Sequence, residues 1–241
     1  MRAARLRKLI VRPILGIVAV AIGYVAWNQA NGNFGEAIPG RLYRSSQMSA
    51  GALGQTVRSH KIRTVLNLRG SHPDLAWYRD ERAATLRAGA TQVDMAMSSC
   101  DWMSRAQLAK LVEVLDTADY PILVHCWHGA ERTGLVSAVS ELLRPGSTLA
   151  DARAHFTIKH LFVKAGDGKV MPEHVDQYER WLLAHKLEHD PGRFRRWIAE
   201  GFRPGTPSRE QWPYDPYPLT VITRPDGTST AVHAPRDSTI R

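Results

Sequence analysis

The chain has 241 residues, 44% of them hydrophobic and 23% charged, a globular composition sufficient for one domain of about 150–200 residues plus appendages. Its formal net charge is +9, but the arginines are spread along the chain and no long basic run is interleaved with aromatics, which argues against nucleic-acid binding. Two cysteines make no disulfide scaffold, and no Cys/His cluster has the spacing of zinc ligands, so neither a disulfide framework nor a structural metal is expected.

The N-terminus is distinct. Arg2, Arg5, Arg7, Lys8 and Arg12 precede an uncharged apolar run from Pro13 to Trp27, and the next charged residue is Glu36. A basic start before an apolar run reads as a membrane anchor or an export signal. The run is short for a full span unless it is extended back to Leu9 with Arg12 reaching the head groups. The small-x-small stretch Ala21 to Gly23 would cut the apolar run itself, so a retained signal-anchor over residues 1–30 is the favoured expectation. Secretion after cleavage is the alternative. Either way the basic flank places the N-terminus in the cytoplasm and the remainder on the extracytoplasmic, periplasmic side.

A polar linker, "NQANGNFG", follows. "RTVLNLRG" then reads as a strand ending at Gly70, "SHPDLAWYRDERAATLRAGA" as a loop and a helix stopping near Gly89, and "TQVDMAMS" as a second strand. "SRAQLAKLVEVLDTA" carries Leu108, Leu111, Val112 and Leu115 at helical spacing, with Ser104 as N-cap. "PILVH" is apolar throughout and reads as a central strand buried on both faces. "RTGLVSAVSELL" is a helix ending before Pro145-Gly146. "STLADARAHF" starts another, with Thr148 and Asp151 at capping-box spacing. "PEHVDQYERWLLAHKL" places Val175, Tyr178, Trp181 and Leu182 on one face. From residue 202 the composition turns proline-rich, and Pro225-Asp226-Gly227 between two β-rich arms signals a hairpin. The expected class is α/β: a mainly parallel central sheet flanked by helices over 31–201, with an N-terminal membrane helix and a C-terminal hairpin appendage within 202–241.

The stretch "PILVHCWHGAERTG" carries the chemistry. A strand that ends in a tight loop and enters a helix gathers backbone N–H groups at one point, an anion site before any side chain is counted. Cys126 opens that loop, and Arg132 closes it with a planar fork suited to two phosphate oxygens. Both the amides and Arg132 favour the thiolate. Gly129 allows a backbone conformation closed to other residues, Thr133 can hydrogen-bond the sulfur, and His125 orients the loop. Trp127, His128, Gly129, Ala130, Glu131 and Arg132 together form the phosphate cradle.

"HCWHGAERTG" resembles the His-Cys-x5-Arg-Thr-Gly signature of the cysteine-dependent phosphatases, the tyrosine and dual-specificity superfamily, and "NFGEAIPGRLYRSSQ" and "IRTVLNLRG" resemble the entry region of its bacterial dual-specificity-like branch. The resemblance spans roughly residues 34 to 185. It implies the phosphatase fold, a Cys126 nucleophile forming a thiophosphate, Arg132 and the loop amides holding the equatorial oxygens, and neither metal nor other cofactor. It also implies a general acid on a loop before the cysteine strand. Asp101 in "MSSCDWMS" is the expected acid, with Asp94 as rival and Asp116 read as a solvated helix end; an arrangement with no dedicated acid stays open. Arg44, Ser45 and Gln47 resemble a loop flanking the pocket, and Arg69 is placed at the sheet's C-terminal edge.

The loop interior has no lysine, unlike many phosphoinositide-selective members, and Glu131 is acidic. The favoured substrate is therefore a phosphorylated protein of tyrosine or dual-specificity type. A phospholipid or inositol phosphate is the second reading, and a catalytically silent phosphate-binding module the third. In an oxidising compartment a reversible Cys100–Cys126 disulfide is a further hypothesis.

Overall fold

The computed structural model describes residues 2–205 and 220–232. A long helix, α1 (Arg2–Ala30), leads into a hairpin, β1 (Gly35–Ile38) and β2 (Leu42–Ser45). Then follow α2 (Ala50–Ser59), β3 (Thr64–Asn67), α3 (Ala76–Arg87), β4 (Thr91–Met95), α4 (Arg105–Thr117), β5 (Ile122–His125) and α5 (Glu131–Leu142). Three further helices, the short α6 (Leu149–Arg153), the longer α7 (Val170–Ala184) and the short α8 (Pro191–Arg196), precede a last pair of strands, β6 (Thr220–Thr223) and β7 (Ser229–Val232).

The seven strands form one sheet in the order β1-β2-β5-β3-β4-β6-β7. Its middle is parallel, β2 with β5, β5 with β3 and β3 with β4. Both edges are antiparallel, so the whole sheet is mixed. β5 lies in the centre with all four residues buried, as its unbroken apolar run predicts. The C-terminal ends of β2, β5 and β3 therefore converge on one edge, where Ser45, His125 and Asn67 stand in register.

Local signals account for most helix starts. Ser104 caps α4 and Thr148 caps α6, each with a complete capping box closed by Gln107 and Asp151 respectively. Along α7, Val175, Tyr178 and Leu182 are buried and Trp181 packs at the margin of the core. The hairpin signal is met at its turn, where Gly227 takes φ +86° and Arg224 and Thr228 close the loop. Its place is not that of an appendage: β6 pairs with β4, Gln92 opposite Thr223 and Met95 opposite Thr220, and so covers an edge that would otherwise lie open. Phe202, in the stretch read as tail, is fully buried against His174 and Trp197. Most of the proline-rich stretch of that tail, from residue 206, lies outside the described residues.

Helix α1 contains one apolar stretch, Val11–Ala30, with mean hydropathy 1.5 and almost no burial, long enough to cross a membrane or to serve as a signal sequence. Its end is built into the domain. Asn33 donates from its amide to the Asn28 carbonyl, and Ser46 donates to the Gly32 carbonyl. The Tyr24 hydroxyl reaches the Lys159 carbonyl at 3.0 Å.

Candidate active site

β5 delivers His125 and then Cys126 into the loop that enters α5. The loop's shape is fixed from behind, through its carbonyls. The Gln47 amide donates to the Trp127 carbonyl at 3.1 Å, and the Asn33 side chain to the His128 carbonyl at 2.9 Å. One guanidinium nitrogen of Arg44 donates to the Gly129 carbonyl at 2.9 Å and, at 3.4 Å, to that of Ala130. A trans peptide unit points its N–H opposite to its C=O. Four carbonyls drawn outward therefore turn the amides of His128, Gly129, Ala130 and Glu131 inward. The Gly129 amide donates to Cys126 Sγ at 3.2 Å. The other three, with those of Trp127 and Arg132, have no partner among the described residues. They make an anion nest at the N-terminus of α5.

Gly129 cannot be another residue here. Its φ is +73°, and a Cβ would lie 2.6 Å from the Ser45 carbonyl carbon and oxygen. The loop is pressed against the end of β2, and only a bare α-carbon fits.

Cys126 lies 1% exposed at the floor of the nest. Burial by itself would raise its pKa; the Arg132 guanidinium, the Thr133 hydroxyl and amide, and the Gly129 amide outweigh it and hold the thiol below its ordinary value. The Thr133 hydroxyl beside it is buried and makes no hydrogen bond among the described residues, so its donor is available. Arg132 makes long contacts from Nη1 to the Leu68 and Met97 carbonyls, at 3.4 and 3.3 Å. Its Nε is buried and unpartnered. A buried donor that would otherwise cost about 1–3 kcal/mol is thus held ready for an acceptor that the protein does not supply.

Behind the loop is a buried polar network. His125 Nε2 lies 3.2 Å from Glu81 Oε1, both side chains 2% exposed. Burial would neutralise both, but each ion offsets the other's cost. Burial lowers the His125 pKa less than the Glu81 charge and hydrogen bond and the Cys126 thiolate raise it. The Glu81 carboxylate, although buried, is held below its usual range by His125 and by donors from Gln47 and Gln92. Asp94 is 1% exposed on β4. Burial pushes its pKa up to about 6 against donors from Tyr78, Gln92 and Asn67. It is a member of this network and does not line the pocket.

The pocket over the nest encloses about 590 Å³, within the range of small-molecule sites. Its walls include Arg69, Leu75, Trp77, Trp127, Glu131 and Arg132, together with residues 96–100. The structure brings together Trp127, His128, Glu131, Arg132 and Arg69 at this opening, above Cys126. Arg44 stands elsewhere than its sequence neighbourhood suggests. It is fully buried under the loop, tied to the loop carbonyls and to His155, because its position on β2 points it beneath the nest. Asp101 adjoins the pocket-lining Cys100 but is not itself in the lining; its carboxylate accepts the Trp102 amide at 2.7 Å. Trp102 anchors this loop by packing against His174 and Phe202. Asp116 pairs with Arg195 on the surface, away from the site. Cys100 and Cys126 are both buried, and no disulfide joins them in this structure. Two supports had no local signal in the sequence. Asn33 sits in what reads as a linker, and Glu81 in a charged helix whose inward face becomes visible only in three dimensions.

Residues 41–147 match the family model described as polymorphic toxin system, DSP-PTPase phosphatase. That matched stretch contains the whole cysteine loop, so the likeness to the cysteine-dependent phosphatases of the tyrosine and dual-specificity superfamily includes the site just described. No curated protein matches the chain. Among solved structures it is similar to P. aeruginosa TpbA in complex with phosphotyrosine (19% identity, covering 61% of this chain and 91% of that one, TM-score 0.44). It is also similar to the core catalytic domain of the PP-IP phosphatase SIW14 from S. cerevisiae in complex with citrate (24%, 64% and 91%, TM-score 0.48). A third is PTPMT1 (14%, 64% and 99%, TM-score 0.43). At these identities and scores nothing about substrate follows from the three.

Replacing Arg44 by Met keeps length and removes the donors to three carbonyls. Each buried acceptor left unpaired costs about 1–3 kcal/mol. The expected outcome is a lower melting temperature together with a drop of at least about tenfold in kcat/KM on an aryl phosphate. Retention of both values would mean that the loop holds its shape without Arg44.

Proposed function

We propose that this domain hydrolyses phosphomonoesters by way of a thiophosphate on Cys126. The observation that carries the reading is the unpartnered set of inward amides and the Arg132 Nε, gathered above a thiol held below its ordinary pKa. The Cys126 thiolate attacks phosphorus; the S–P bond forms as the P–O bond to the leaving group breaks. The nest amides and Arg132 hold the three equatorial oxygens as charge spreads over them. The leaving oxygen takes a proton from Asp101. Water, giving a proton back to the Asp101 carboxylate, then attacks phosphorus, the S–P bond breaks, inorganic phosphate departs and the thiolate returns. His125, paired with Glu81, and Arg44 keep the loop in place and do not touch substrate. Thr133 donates to the sulfur as it leaves.

Aromatic walls at the pocket favour an aryl phosphomonoester, and hence phosphotyrosine on a protein, over an alkyl one. Trp77 and Trp127 line the entrance, with Trp127 54% exposed. A second reading, a phospholipid or inositol phosphate, draws on α1. The end of that apolar helix is hydrogen-bonded to the same segment, through Asn33, that supports the His128 carbonyl. We further propose that α1 is retained as an anchor, its basic end cytoplasmic and the phosphatase domain of residues 31–201 extracytoplasmic. Support comes from the basic residues within 2–12 ahead of an uncharged run, Pro13 to Trp27, with no cleavage signal outside that run.

The cysteine chemistry predicts hydrolysis of p-nitrophenyl phosphate, abolished in Cys126→Ser, and iodoacetamide inactivation with a midpoint below the roughly 8.5 of a free thiol. Phosphate binding without turnover in the unmodified protein would mark a binding module instead. Relative kcat/KM on a phosphotyrosine peptide, a phospholipid monoester and an inositol phosphate then decides substrate class. Asp101→Asn should slow esters of weakly acidic alcohols much more than those of acidic phenols. Equal loss on both would move the acid role to Glu131 or His72, which line the pocket. Protease protection in sealed vesicles, with the N-terminus of the mature chain identified, tests the topology: a protected domain and an intact Met1 end are expected, and a chain beginning after residue 20 would overturn the anchor.

A further inference from the structure

Arg69 is held in a way that the phosphate nest does not explain. Its guanidinium carbon lies 3.6 Å from the Trp77 ring centroid and 4.3 Å from that of Trp127, so the planar group is sandwiched between two indoles. Nη1 donates to Gln47 Oε1 at 2.9 Å, and the Gln47 amide in turn donates to Glu81. Among the described residues no carboxylate lies within ion-pair distance of Arg69, or of Arg132 in the same pocket wall. The one carboxylate in the lining, Glu131, pairs with neither. Two like charges thus face one cavity. Burial and the Arg132 charge both disfavour the Arg69 cation, and the Glu81 and Cys126 charges favour it.

A stacked guanidinium has its faces covered and its N–H edge exposed in the plane, which is the arrangement for fork-like recognition of an oxyanion. Gln47 takes one N–H and fixes the rotation of the fork, and the remaining edge belongs to the pocket. The loop interior has no lysine to meet a second charge. Trp127 occupies the position after the nucleophile and supplies one of the two ring faces that hold Arg69 instead.

We propose that Arg69, clamped by Trp77 and Trp127, is a second anion subsite, and that the preferred substrates are phosphomonoesters whose body carries a further carboxylate or phosphate beside the scissile group. The inference rests on the phosphatase reading above and narrows its substrate class. An uncharged body leaves the Arg69 edge to water; a second oxyanion on it neutralises Arg69 and relieves the repulsion between the two arginines.

The test uses matched substrates with the full-length protein at 150 mM salt. Phenyl phosphate is compared with 3-carboxyphenyl phosphate, and propyl phosphate with propane-1,3-diol bisphosphate, the two pairs separating a carboxylate source from a phosphate source. Turnover of phenyl phosphate by the unmodified protein settles the underlying reading separately. A preference of about tenfold or more in kcat/KM for the second anion, in either pair, is expected from a charge-assisted hydrogen bond. Arg69→Gln should bring that ratio to near one. Arg69→Lys, which keeps the charge and loses the fork, should leave it in between, and serves if the Gln variant fails to fold. No preference in the unmodified protein, or a preference that survives both substitutions, overturns the subsite; the latter would mean that the net positive charge alone attracts the anion. An equal loss on both members of a pair also overturns it, since Arg69 would then serve the scissile phosphate only.

Discussion

The site depends on which way a few peptide units face. A planar trans peptide cannot turn its amide into a cavity without turning its carbonyl out, and a buried carbonyl turned out must be met by a donor. In this fold the donors come from the first seventeen residues after α1: Asn33, Arg44 and the amide of Gln47. The β1–β2 hairpin and its approach therefore act as a bracket for a loop more than eighty residues further on. β2 lies beside β5 in parallel register, Ser45 opposite His125, and this places the bracket directly under the nest. The clash that any side chain at Gly129 would make with Ser45 measures how closely the two are pressed together.

Charge is arranged in layers around that loop. On the open side the amides, Arg132 and Arg69 supply positive potential to an incoming anion. On the closed side the buried Glu81–His125 pair is internally neutral and satisfied by Gln47 and Gln92, so it fixes the end of β5 without cancelling the field in front of it. Asp94 continues the network to Tyr78 and Asn67, where burial favours its protonated form more than for an ordinary aspartate. Gln47 belongs to both layers: its backbone amide holds the loop, its side-chain oxygen holds Arg69, and its side-chain amide meets Glu81.

What the sequence made legible is what short-range chemistry dictates. The nucleophile loop is contiguous, so strand, thiol, glycine, arginine and helix start can be read together. The capping boxes at Ser104 and Thr148 and the turn at Gly227 are likewise local and are found where their signals stand. The missing parts are set by long-range pairing. Nothing near Asn33 says that its amide reaches His128, and Glu81 looks like one more charge on a polar helix until α3 is packed on the sheet. Arg44 resembles part of a loop that flanks the pocket, and the position it takes on β2 carries its side chain beneath the nest. The final hairpin was recognisable as a hairpin; that it would complete the sheet beside β4 depends on the edge left by that strand, which no local pattern records.

The junction between α1 and the sheet has a mechanical meaning of its own. Four residues, 31–34, separate the helix from β1, and the chain there is stitched at successive points, Asn31 to Trp27, Gly32 to Gln29, Asn33 to Asn28 and Ser46 to Gly32. A leash with slack would let the pocket swing and search. Here consecutive hydrogen bonds run from the last turn of α1 through Asn33 to the carbonyl of His128, so the heading of the pocket mouth is tied to the end of the helix and not to a slack tether.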